Sequence, residues 1–583
     1  MNARELITDH LDLWTSAVTT KSTVGRGTSS GKRGKIELTG INKLRELILE
    51  LAVRGKLVEQ DPDDEPASVL LERIAEEKAR LVKEGKIKKH KKLPEIGEEE
   101  KPFELPAGWQ WARLSDVLRV INGRAYKKHE MLQEGTPLLR VGNLFTSNEW
   151  YYSDLQLEDD KYIDHGDLIY AWSASFGPFI WAGSRAIYHY HIWKLELFDH
   201  SSTNKLFLYN YLKAVTEEIK SSGSGIAMIH MTKAKMEELV VPLPPHEEQQ
   251  RIVKKVDDLT ALCDRLEQQV GDQLEAHEVL VDTLLDALTR SADAAEVAEN
   301  WARIAEHFDT LFTTEASIDK LKQTILQLAV MGRLVEQDPN DEPASVLLER
   351  IAEERARLVK EGEIRTQKPL PEIAYDEYPF EIPSEWAMSR MDDITNILSG
   401  IAKGKKLSGK KTVWVPYLRV ANVQRGALDL SEVKEIEMAC DEVEKYTVKK
   451  RDLLITEGGD WDKVGRTAIW NADIKPMTHQ NHVFRACLIL DEQNEHWIAK
   501  YLNSGIAREY FANSSKQTTN LASINKTQLR SCIIPVPPLE EQQRIVDKVD
   551  ELMALCDQLK ARLGEAGETR THLAEAVVEQ GIS

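Results

Sequence analysis

Residues 51–85 read LAVRGKLVEQDPDDEPASVLLERIAEEKARLVKEG, and residues 328–362 read LAVMGRLVEQDPNDEPASVLLERIAEERARLVKEG. These two stretches differ at only four of 35 positions. A second match pairs PLPPHEEQQRIVKKVDDLTALCD at 242–264 with PVPPLEEQQRIVDKVDELMALCD at 535–557, identical at 18 of 23 positions. Self-similarity at a fixed distance indicates a repeated structural unit. We therefore expect a unit of about 290 residues that is present twice.

Between the matched blocks the two copies diverge. The segments at about 103–242 and 380–535 share only a faint framework, and the second copy is 16 residues longer there. The first copy also has about 20 extra residues near 25–35, where GRGTSSGKRGK has the composition of a flexible linker. The chain is thus a nearly identical scaffold that carries two different inserts.

Composition excludes several protein classes. The chain has 583 residues, 42% hydrophobic and 30% charged, which is typical of a folded protein with exposed helices and not of a collagen or a disordered tail. Its five cysteines form no C-x-x-C pair, which argues against a zinc ribbon or a disulfide framework and favours a reducing cytoplasm. No run approaches 18 apolar residues, so we expect neither a membrane span nor a secretory signal.

The net charge of −20 argues against nucleic-acid binding until it is divided by region. Residues 108–240 carry −2 and residues 384–534 carry +3, so the remaining segments carry −21. The acidity therefore belongs to the scaffold, and the inserts are close to neutral with local basic clusters.

Periodicity predicts the helices of the scaffold. After the Pro-rich segments a helix begins, with Glu247 and Glu248, like Glu540 and Glu541, near its positive end. Apolar residues then recur at steps of three and four, the spacing of a coiled-coil seam. The seam residues are Val256, Leu259, Cys263, Leu266 and Val270, and Val549, Leu552, Cys556, Leu559 and Leu563. We expect the two seam cysteines to be packed and not redox-active.

Other elements follow from shorter patterns. The LLERIAEEKARLVKEG segments predict amphipathic helices that begin after Pro66 and Pro343 and end near Gly85 and Gly362. Each insert has one longer helical stretch, near 203–220 and 495–511. Short apolar runs predict strands at 137–141, 167–172, 186–197, 417–420 and 452–455. Each insert is therefore predicted to be a mixed α/β domain.

We find no catalytic constellation in the sequence. GKKLSGKKT at 404–412 resembles a phosphate-binding loop, but Lys411 stands where Ser or Thr would hold magnesium, and a strand-like segment follows instead of a helix. His246 lacks the second histidine of a zinc-protease motif. His189 and His191 alternate along a predicted strand, but two ligands do not complete a zinc site, and His189 aligns with Gln480 in the second copy. We therefore predict no metal site and no enzymatic activity in this chain.

The PxPPxEEQQRIVxKVDxL blocks, the paired inserts and the joining helices resemble the specificity subunit of a bacterial type I restriction–modification system. The LAVRGKLVEQDPxDEPASxLL block is similar to one branch, type IB-like. The resemblance covers essentially the whole chain. It implies an α/β (mixed α+β) fold class: two globular α/β target-recognition domains joined by long antiparallel coiled-coil helices, in an internal tandem duplication. It also implies that each domain reads half of a split site on double-stranded DNA.

The resemblance implies partners and domain limits as well. Two methyltransferase subunits and two motor–nuclease subunits would join the chain, and S-adenosylmethionine, ATP and Mg²⁺ would belong to them, with no cofactor in this chain. The predicted domains are a helical segment (1–102), recognition domain 1 (103–245), a central spacer helix (246–300), a repeated helical segment (301–379), recognition domain 2 (380–538) and a C-terminal spacer helix (539–583).

Basic residues are candidates for phosphate contact. Lysines beside glycines between strands suit phosphate binding, which positions a protein on DNA without reading its sequence. A solvated loop is the alternative explanation for such a cluster. The candidates are Arg124, Lys127 and Lys128 in the first insert, Lys403, Lys405, Lys406, Lys410 and Lys411 at the matching place in the second, and the aligned Lys233 and Lys526.

Base contacts are predicted at two further places. Arg140 and Asn143 match Arg419 and Asn422, and these residue types bond guanine and adenine edges, although sharing between copies equally fits a backbone or phosphate role. LIYAWSASF (168–176) and LLITEGGDWDKV (453–464) lie between matching framework positions but differ in length and chemistry, so they suit the reading of different half-sites, unless they are ordinary variable loops. The candidates there are Tyr170, Trp172, Ser173 and Ser175, and Glu457, Asp460, Trp461, Asp462 and Lys463.

Two alternatives to a DNA-specificity subunit remain at this point. One is a tandem helical scaffold that binds proteins only, without direct DNA readout. The other is an enzyme with an unrecognised nuclease or methylase centre. DNA specificity that appears only with a methyltransferase partner would favour a DNA-specificity subunit over both alternatives.

Overall fold

The computed structural model divides into two units, and the division falls within two long helices. Residues described by the structure are 3–21, 35–88, 93–173, 175–221, 232–291, 294–402, 404, 407–459, 463–518 and 521–582. Unit 1 comprises residues 1–20, 36–272 and 567–583, and unit 2 comprises residues 21–35 and 273–566. Each unit contains one insert. The predicted linker near 25–35 lies outside the described residues apart from Lys35.

Unit 1 has helices on both sides of its insert along the chain. The helices that begin in it are α1 (Ala3–Thr8), α2 (Leu11–Ser16), α3 (Thr39–Val53), α4 (Ala67–Lys83), α5 (Leu114–Val117), α6 (Val141–Phe145), α7 (Lys205–Ser221), α8 (Lys233–Glu238) and α9 (His246–Arg290). Short strands β1 (Thr19–Lys21) and β2 (Lys35–Glu37) flank residues 22–34.

The first insert forms three described sheets. Its strands are β3 (Gln110–Arg113), β4 (Leu118–Asn122), β5 (Thr136–Leu139), β6 (Tyr151–Ser153), β7 (Tyr162–Ile163), β8 (Leu168–Ser173), β9 (Ser175–Ile180), β10 (Ala186–Tyr188), β11 (Ile192–Leu197) and β12 (Val240–Leu243). Two four-stranded sheets have the orders β4-β11-β8-β9 and β6-β5-β10-β7, and β12 pairs with β3. The strands that enter and leave the insert are therefore neighbours.

Unit 2 repeats this plan. Its helices are α10 (Ala294–Glu306), α11 (Phe308–Leu311), α12 (Glu315–Val330), α13 (Ala344–Lys360), α14 (Met391–Ile394), α15 (Val443–Tyr446), α16 (Glu495–Asn503), α17 (Gly505–Ser514), α18 (Lys526–Ser531) and α19 (Leu539–Ile582), whose last residues belong to unit 1. Its strands are β13 (Ala387–Arg390), β14 (Thr395–Ser399), β15 (Thr412–Leu418), β16 (Lys434–Ala439), β17 (Leu453–Thr456), β18 (Gly458–Gly459), β19 (Thr467–Ile469), β20 (Thr478–His479), β21 (Val483–Leu488), β22 (Lys516–Thr518), β23 (Leu521–Ser523) and β24 (Ile533–Val536).

The sheets of the second insert match those of the first. Orders β14-β21-β17-β19 and β16-β15-β20 correspond to the two larger sheets of unit 1, and β13 pairs with β24 as β3 pairs with β12. An additional described sheet, β18-β23-β22, is formed in unit 2. Two inserts with little sequence identity therefore share one mixed α/β framework.

The matched helices begin and end where the sequence predicts. Pro66 and Pro343 are extended residues directly before α4 and α13, because proline suits the first turn but not a helix interior. Gly85 and Gly362 follow the helix ends with φ of +73° and +78°, the left-handed conformation that terminates a helix. This pair of predicted helices is confirmed.

The repeated EEQQR motif bonds the start of each long helix to the preceding Pro-rich segment and to the conserved block at 51–85 or 328–362. Gln249 accepts a hydrogen bond from the amide of Asn204 (2.6 Å) and donates to the carbonyls of Ser202 and Pro244. Arg251 pairs with Asp64 at 2.7 Å. In unit 2, Gln542 donates to the Pro537 carbonyl, and Arg544 pairs with Asp341 at 2.6 Å. In both copies the glutamine therefore satisfies buried backbone groups and the arginine pairs with an aspartate.

A glycine in each LAV segment allows a close approach. Gly55 has φ of +67°, and a Cβ there would lie 2.5 Å from Cγ of Pro106 and 2.9 Å from Cζ2 of Trp109. Gly332 has φ of +72° and the same crowding against Pro383 and Trp386. Any side chain would therefore push the tryptophan away and strain the backbone.

Several secondary-structure elements of the inserts differ from those predicted. The predicted strand at 186–197 is two strands, β10 and β11, with His189 and His191 in the turn between them. The helical stretch near 495–511 is two helices, because Ser504 ends α16 and caps α17 by accepting from the amide of Ala507. Predicted strands at 137–141 and 417–420 end at Leu139 and Leu418. The long helices α9 and α19, the strands β8 and β17, and the helix α7 near 203–220 are confirmed.

Candidate nucleic-acid interface

The strand ends of the first insert carry a cluster of aromatic and histidine side chains. The ring of Trp172, at the end of β8, stacks on Trp193 at 5.5 Å and meets His191 edge-on at 5.0 Å. The indole Nε1 of Trp172 donates to the carbonyl of Tyr190 at 2.9 Å. Tyr190 is 40% exposed, so part of this cluster faces solvent.

His189 adjoins the same cluster. Its ring lies 4.9 Å from that of His191, and burial, with His191 and Arg140 nearby, lowers the pKa of His189 to about 4. The two histidines are therefore adjacent, although they lie in a turn and not along one strand. A neutral imidazole offers one donor and one acceptor.

The matching place in the second insert has different chemistry. Glu457 follows β17, and its Oε2 lies 2.5 Å from Nδ1 of His482. Both side chains are partly exposed, 27% for Glu457 and 53% for His482. A carboxylate held beside an imidazole at a strand end offers acceptors to solvent, where Trp172 offers a ring surface.

Tyr170 is a core residue, which corrects its place among the candidate base contacts. It is 2% exposed, and its hydroxyl is hydrogen-bonded to Oγ1 of Thr216 at 3.0 Å. Burial raises the pKa of Tyr170. Ser173 and Ser175 pair as backbone partners at the end of the β8–β9 hairpin, and Ser173 is partly exposed.

The Arg–Asn pairs fold their own loops. Asn143 accepts from the amide of Arg140 at 3.2 Å and donates to the carbonyl of Glu149 at 2.7 Å. The Arg140 guanidinium lies over the ring of Tyr151 at 4.3 Å. Both ends of the Asn143 amide are therefore engaged within the domain, which favours the backbone role over base contact.

The second pair repeats these bonds. Asn422, 3% exposed, accepts from the amide of Arg419 at 2.9 Å and donates to the carbonyls of Asp429 and Glu432. Nη2 of Arg419 donates to the Glu432 carbonyl at 3.2 Å. Such burial places the Asn422 amide out of reach of a base edge, so this member of the predicted pair is corrected to a structural residue.

The basic cluster of the first insert is only partly available to a phosphate. Arg124 pairs with Glu130 at 2.7 Å, and this guanidinium holds the pKa of the Glu130 carboxyl down at about 2. Lys127 and Lys128 are exposed beside it. Phosphate contact by the two lysines stays a prediction, whereas Arg124 already has an anionic partner.

In the second insert, Lys410 and Lys411 are exposed directly before β15, and Lys410 lies 3.5 Å from Asp441. The exposed ring of Trp414, 62% accessible, follows on the same strand. Of the other candidates, Lys403, Lys405, Lys406, Asp460, Trp461 and Asp462 lie outside the described residues. Lys463 is described, and its carbonyl accepts from Oγ1 of Thr456.

Lys233 and Lys526 occupy the same position, the first residue of α8 and of α18. Lys233 lies 3.5 Å from Glu237 and is 36% exposed. Burial and the nearby Arg530 lower the pKa of Lys526, which is half-buried. The two positions are equivalent in structure, and phosphate contact by either lysine stays a prediction.

Comparisons with known proteins match this architecture. A family model described as the type I restriction modification DNA specificity domain matches residues 106–276 and 383–566. The type I restriction enzyme EcoAI specificity subunit of Escherichia coli is 41% identical over 604 residues, with 100% of both chains covered. The chain belongs to the type I restriction–modification specificity subunits. The EcoEI specificity subunit of Escherichia coli is 40% identical over 599 residues, again with 100% of both chains covered.

As a specificity subunit, the chain is the non-catalytic member of its system. A chain solved in work on the assembly and conformational transition of a type I R-M system is 18% identical, with a TM-score of 0.47, and covers 82% of this chain and 99% of its own. The family assignment rests on the matched domains and the two Escherichia coli relatives.

The histidine partners are not predicted from the sequence of this specificity subunit. His191 is a candidate there only as a metal ligand and His482 is not among the candidates, yet His191 contacts Trp172 and His482 contacts Glu457. One sequence signal could have identified them: His191 aligns with His482, while the residues at the end of the preceding strand, Trp172 and Glu457, differ between the copies. Within the described parts of the chain, no group of three or more His, Cys, Asp or Glu side chains is placed to hold a metal ion. Among the described helices, none has the length and hydropathy needed to cross a membrane.

Proposed function

We propose that this specificity subunit gives a type I restriction–modification complex its DNA sequence specificity, with each recognition domain reading one half of a bipartite site. The observation that carries the proposal is the pair of DNA specificity domains, 106–276 and 383–566, on one duplicated framework. Different side chains on that framework, such as Trp172 and Glu457, suit two unlike half-sites. The chain would act in the cytoplasm.

The proposal includes partner subunits. Two methyltransferase subunits and two motor–nuclease subunits would dock on the chain, and they would supply S-adenosylmethionine, ATP and Mg²⁺. The near-identical segments 51–85 and 328–362 support binding of the same partner twice, because exposed residues such as Glu72 and Glu349 are repeated along with buried ones. Packing alone explains only the buried identities.

The proposal also gives the long helices a spacing role. α9 begins in unit 1 and its residues from 273 onward belong to unit 2, while α19 begins in unit 2 and ends in unit 1. The seam residues Val256, Cys263, Val549 and Cys556 are buried, as a packed helix face requires. We expect the helices to run antiparallel and to set the distance between half-sites.

Exchange of residues 108–240 for the recognition domain of another specificity subunit tests the main proposal. Methylated sites would be sequenced in cells that carry the chain with its methyltransferase and nuclease partners. We expect one half-site to change while the other half-site and the spacer stay the same. Unchanged specificity would overturn the proposal and favour a scaffold that only binds proteins.

Insertion of four residues within 265–285 tests the spacing role. The insertion lengthens a helix by about 6 Å and rotates it by about 400°, which nearly preserves the seam. Because DNA rises about 3.4 Å per base pair, we expect a spacer about two base pairs longer with both half-sites unchanged. An unaltered spacer in a variant that still methylates DNA would show that α9 does not set it.

A further inference from the structure

One position of the shared framework has different side chains in the two recognition domains. In unit 1, Ala171 of β8 pairs with Ile192 of β11. One residue beyond this pair, the backbone amide of Trp172 donates a hydrogen bond to the carbonyl of His191 at 3.1 Å. Trp172 and His191 thus face each other where the two strands end.

The same register is present in unit 2. Thr456 of β17 pairs with Val483 of β21, and the amide of Glu457 donates to the carbonyl of His482 at 2.9 Å. Both the strand pairing and this terminal backbone bond are therefore reproduced. Trp172 and Glu457 are equivalent, and so are His191 and His482.

At this position the histidine is retained and its partner is exchanged. The Trp172 ring meets the His191 ring edge-on. The only N–H donor of the Trp172 side chain already donates to the Tyr190 carbonyl. It therefore presents a ring surface and no free polar atom of its own. Glu457 instead places a carboxylate 2.5 Å from the imidazole of His482. A framework requirement explains the conserved backbone bond but does not explain why the side chains differ so much in chemistry.

We propose that this position distinguishes the two half-sites. In unit 2, Glu457 accepts a hydrogen bond from the exocyclic amino group of a base in the half-site that this unit reads. The inference rests on the proposed function and names the residue that carries part of it. A carboxylate has two acceptor oxygens, and His482 engages Oε2. Oε1 is thus the atom assigned to the base, and cytosine and adenine are the bases with such an amino group in the major groove.

His482 is a positioning residue in this scheme. Its bond to Oε2 fixes the rotamer of Glu457, so that less side-chain freedom is lost when DNA binds. In unit 1, the exposed edge of the Trp172 cluster offers apolar contact of the kind that a thymine methyl group accepts. The two domains would then read different bases through the same backbone position.

Glu457→Ala tests the inference in the full chain, assembled with its methyltransferase partners. Methylation rates would be measured on duplexes that carry the original site and every single-base substitution of each half-site. We expect discrimination to fall about tenfold to a hundredfold at one base pair of one half-site, and the base normally found there identifies cytosine or adenine. Glu435→Ala removes an exposed carboxylate from the same insert and should leave every preference unchanged.

Three outcomes separate the possibilities. Unchanged discrimination at every position in Glu457→Ala would overturn the inference, while a domain exchange that still alters one half-site would leave the proposed function intact. If both leave specificity unchanged, the proposed function itself fails. If Glu457→Ala no longer unfolds cooperatively, His482→Ala serves as the second variant, because it keeps the carboxylate. We expect His482→Ala to lose less discrimination, at one base pair of the same half-site. A loss spread over many base pairs would contradict the inference.

Discussion

The indole Nε1 of Trp109 donates to Oε2 of Glu248 at 2.9 Å, in a place where Glu248 is 1% exposed. Trp386 and Glu541 repeat the bond at 3.0 Å. Gln60 donates to the second oxygen of Glu248 at 3.1 Å, so both oxygens of this buried carboxylate are bonded. Burial nevertheless raises the pKa of Glu248, which shows that these bonds only partly offset the loss of water.

Replacement of Glu248 by Ala should destabilise unit 1. The substitution leaves the buried Trp109 indole without its acceptor, which costs about 1–3 kcal/mol, whereas the exposed Gln60 amide still donates to the Gly55 carbonyl. We expect the free energy of unfolding to fall by about 2 kcal/mol in urea titrations followed by tryptophan fluorescence. Glu247→Ala, at the exposed neighbouring position of α9, is the matched control and should change little. Equal stabilities of the two variants would contradict this role.

Arg530 and Asp392 form a buried pair that should behave differently from surface ion pairs. Nε and Nη2 of Arg530 donate to the two Asp392 oxygens at 2.8 and 2.7 Å, and the two residues are 8% and 6% exposed. Arg530→Met should cost about 3 kcal/mol, because the buried Asp392 carboxylate then keeps only the more distant Arg355, at 3.7 Å, as a cationic partner. Lys548→Met, in the exposed pair with Glu551, should cost less than about 1 kcal/mol. Similar losses in both variants would show that the Arg530 pair is not effectively buried.

His479 should make unit 2 sensitive to acid. It is 1% exposed, Nδ1 lies 2.7 Å from the Val483 carbonyl, and burial lowers its pKa from 6.5 to about 4. As pH falls from about 6.5 to 4, the unfolded chain takes up a proton that the folded chain excludes, so stability is lost over that interval. Urea titrations at several pH values should show a smaller loss in His479→Gln than in the original chain.

The control for this pH dependence is His307→Gln, since His307 is an exposed histidine of the same unit. That variant should keep the pH dependence of the original chain. If His479→Gln and the original chain lose the same stability between pH 6.5 and 4, the exclusion of a proton from His479 is contradicted.

Lys127 and Lys128 should contribute to DNA affinity without contributing to sequence preference. Each phosphate contact releases counterions and adds about 0.9 to the slope of log affinity against log salt. Lys127→Ala with Lys128→Ala should therefore reduce that slope by about 2 and weaken binding of the assembled complex equally on all sequences. Lys254→Ala with Lys255→Ala, at exposed positions of α9, is the matched control. An unchanged slope in the first double variant would assign these lysines to a solvated loop.

The scaffold could be predicted because its signals are local. Pro66 before a helix, Gly85 after it and the apolar steps of α9 each act within one or two turns of chain. The break at Ser504 is not predicted, because the apolar spacing of 495–511 continues through it, although Ser504 and Gly505 form a dipeptide typical of turns. Periodicity therefore predicts where an element lies better than where a cap divides it.

The candidate site could be predicted only in part. Divergence between the copies identifies Trp172 and Glu457, but not His191 and His482, which face them from the turns directly before β11 and β21. Tyr170 and Trp172 are two residues apart along β8 and so lie on the same face of the sheet. Tyr170 is nevertheless hydrogen-bonded to Thr216 in the core, whereas Trp172 lies at the strand end. Exposure here depends on where the sheet stops, which alternation along a single strand does not determine.

The last turns of α19 affect the order in which the protein can fold during synthesis. Residues 567–582 belong to unit 1, where Gly581 lies against Leu6 and Leu47, and Arg54 donates to the carbonyl of Ile582 at 3.2 Å. A ribosome must therefore translate all of unit 2 before unit 1 can complete its packing. A stop codon after Ala566 would damage the half of the protein that was made first, and a nascent chain would expose apolar residues of α3 until residues 567–582 have been translated.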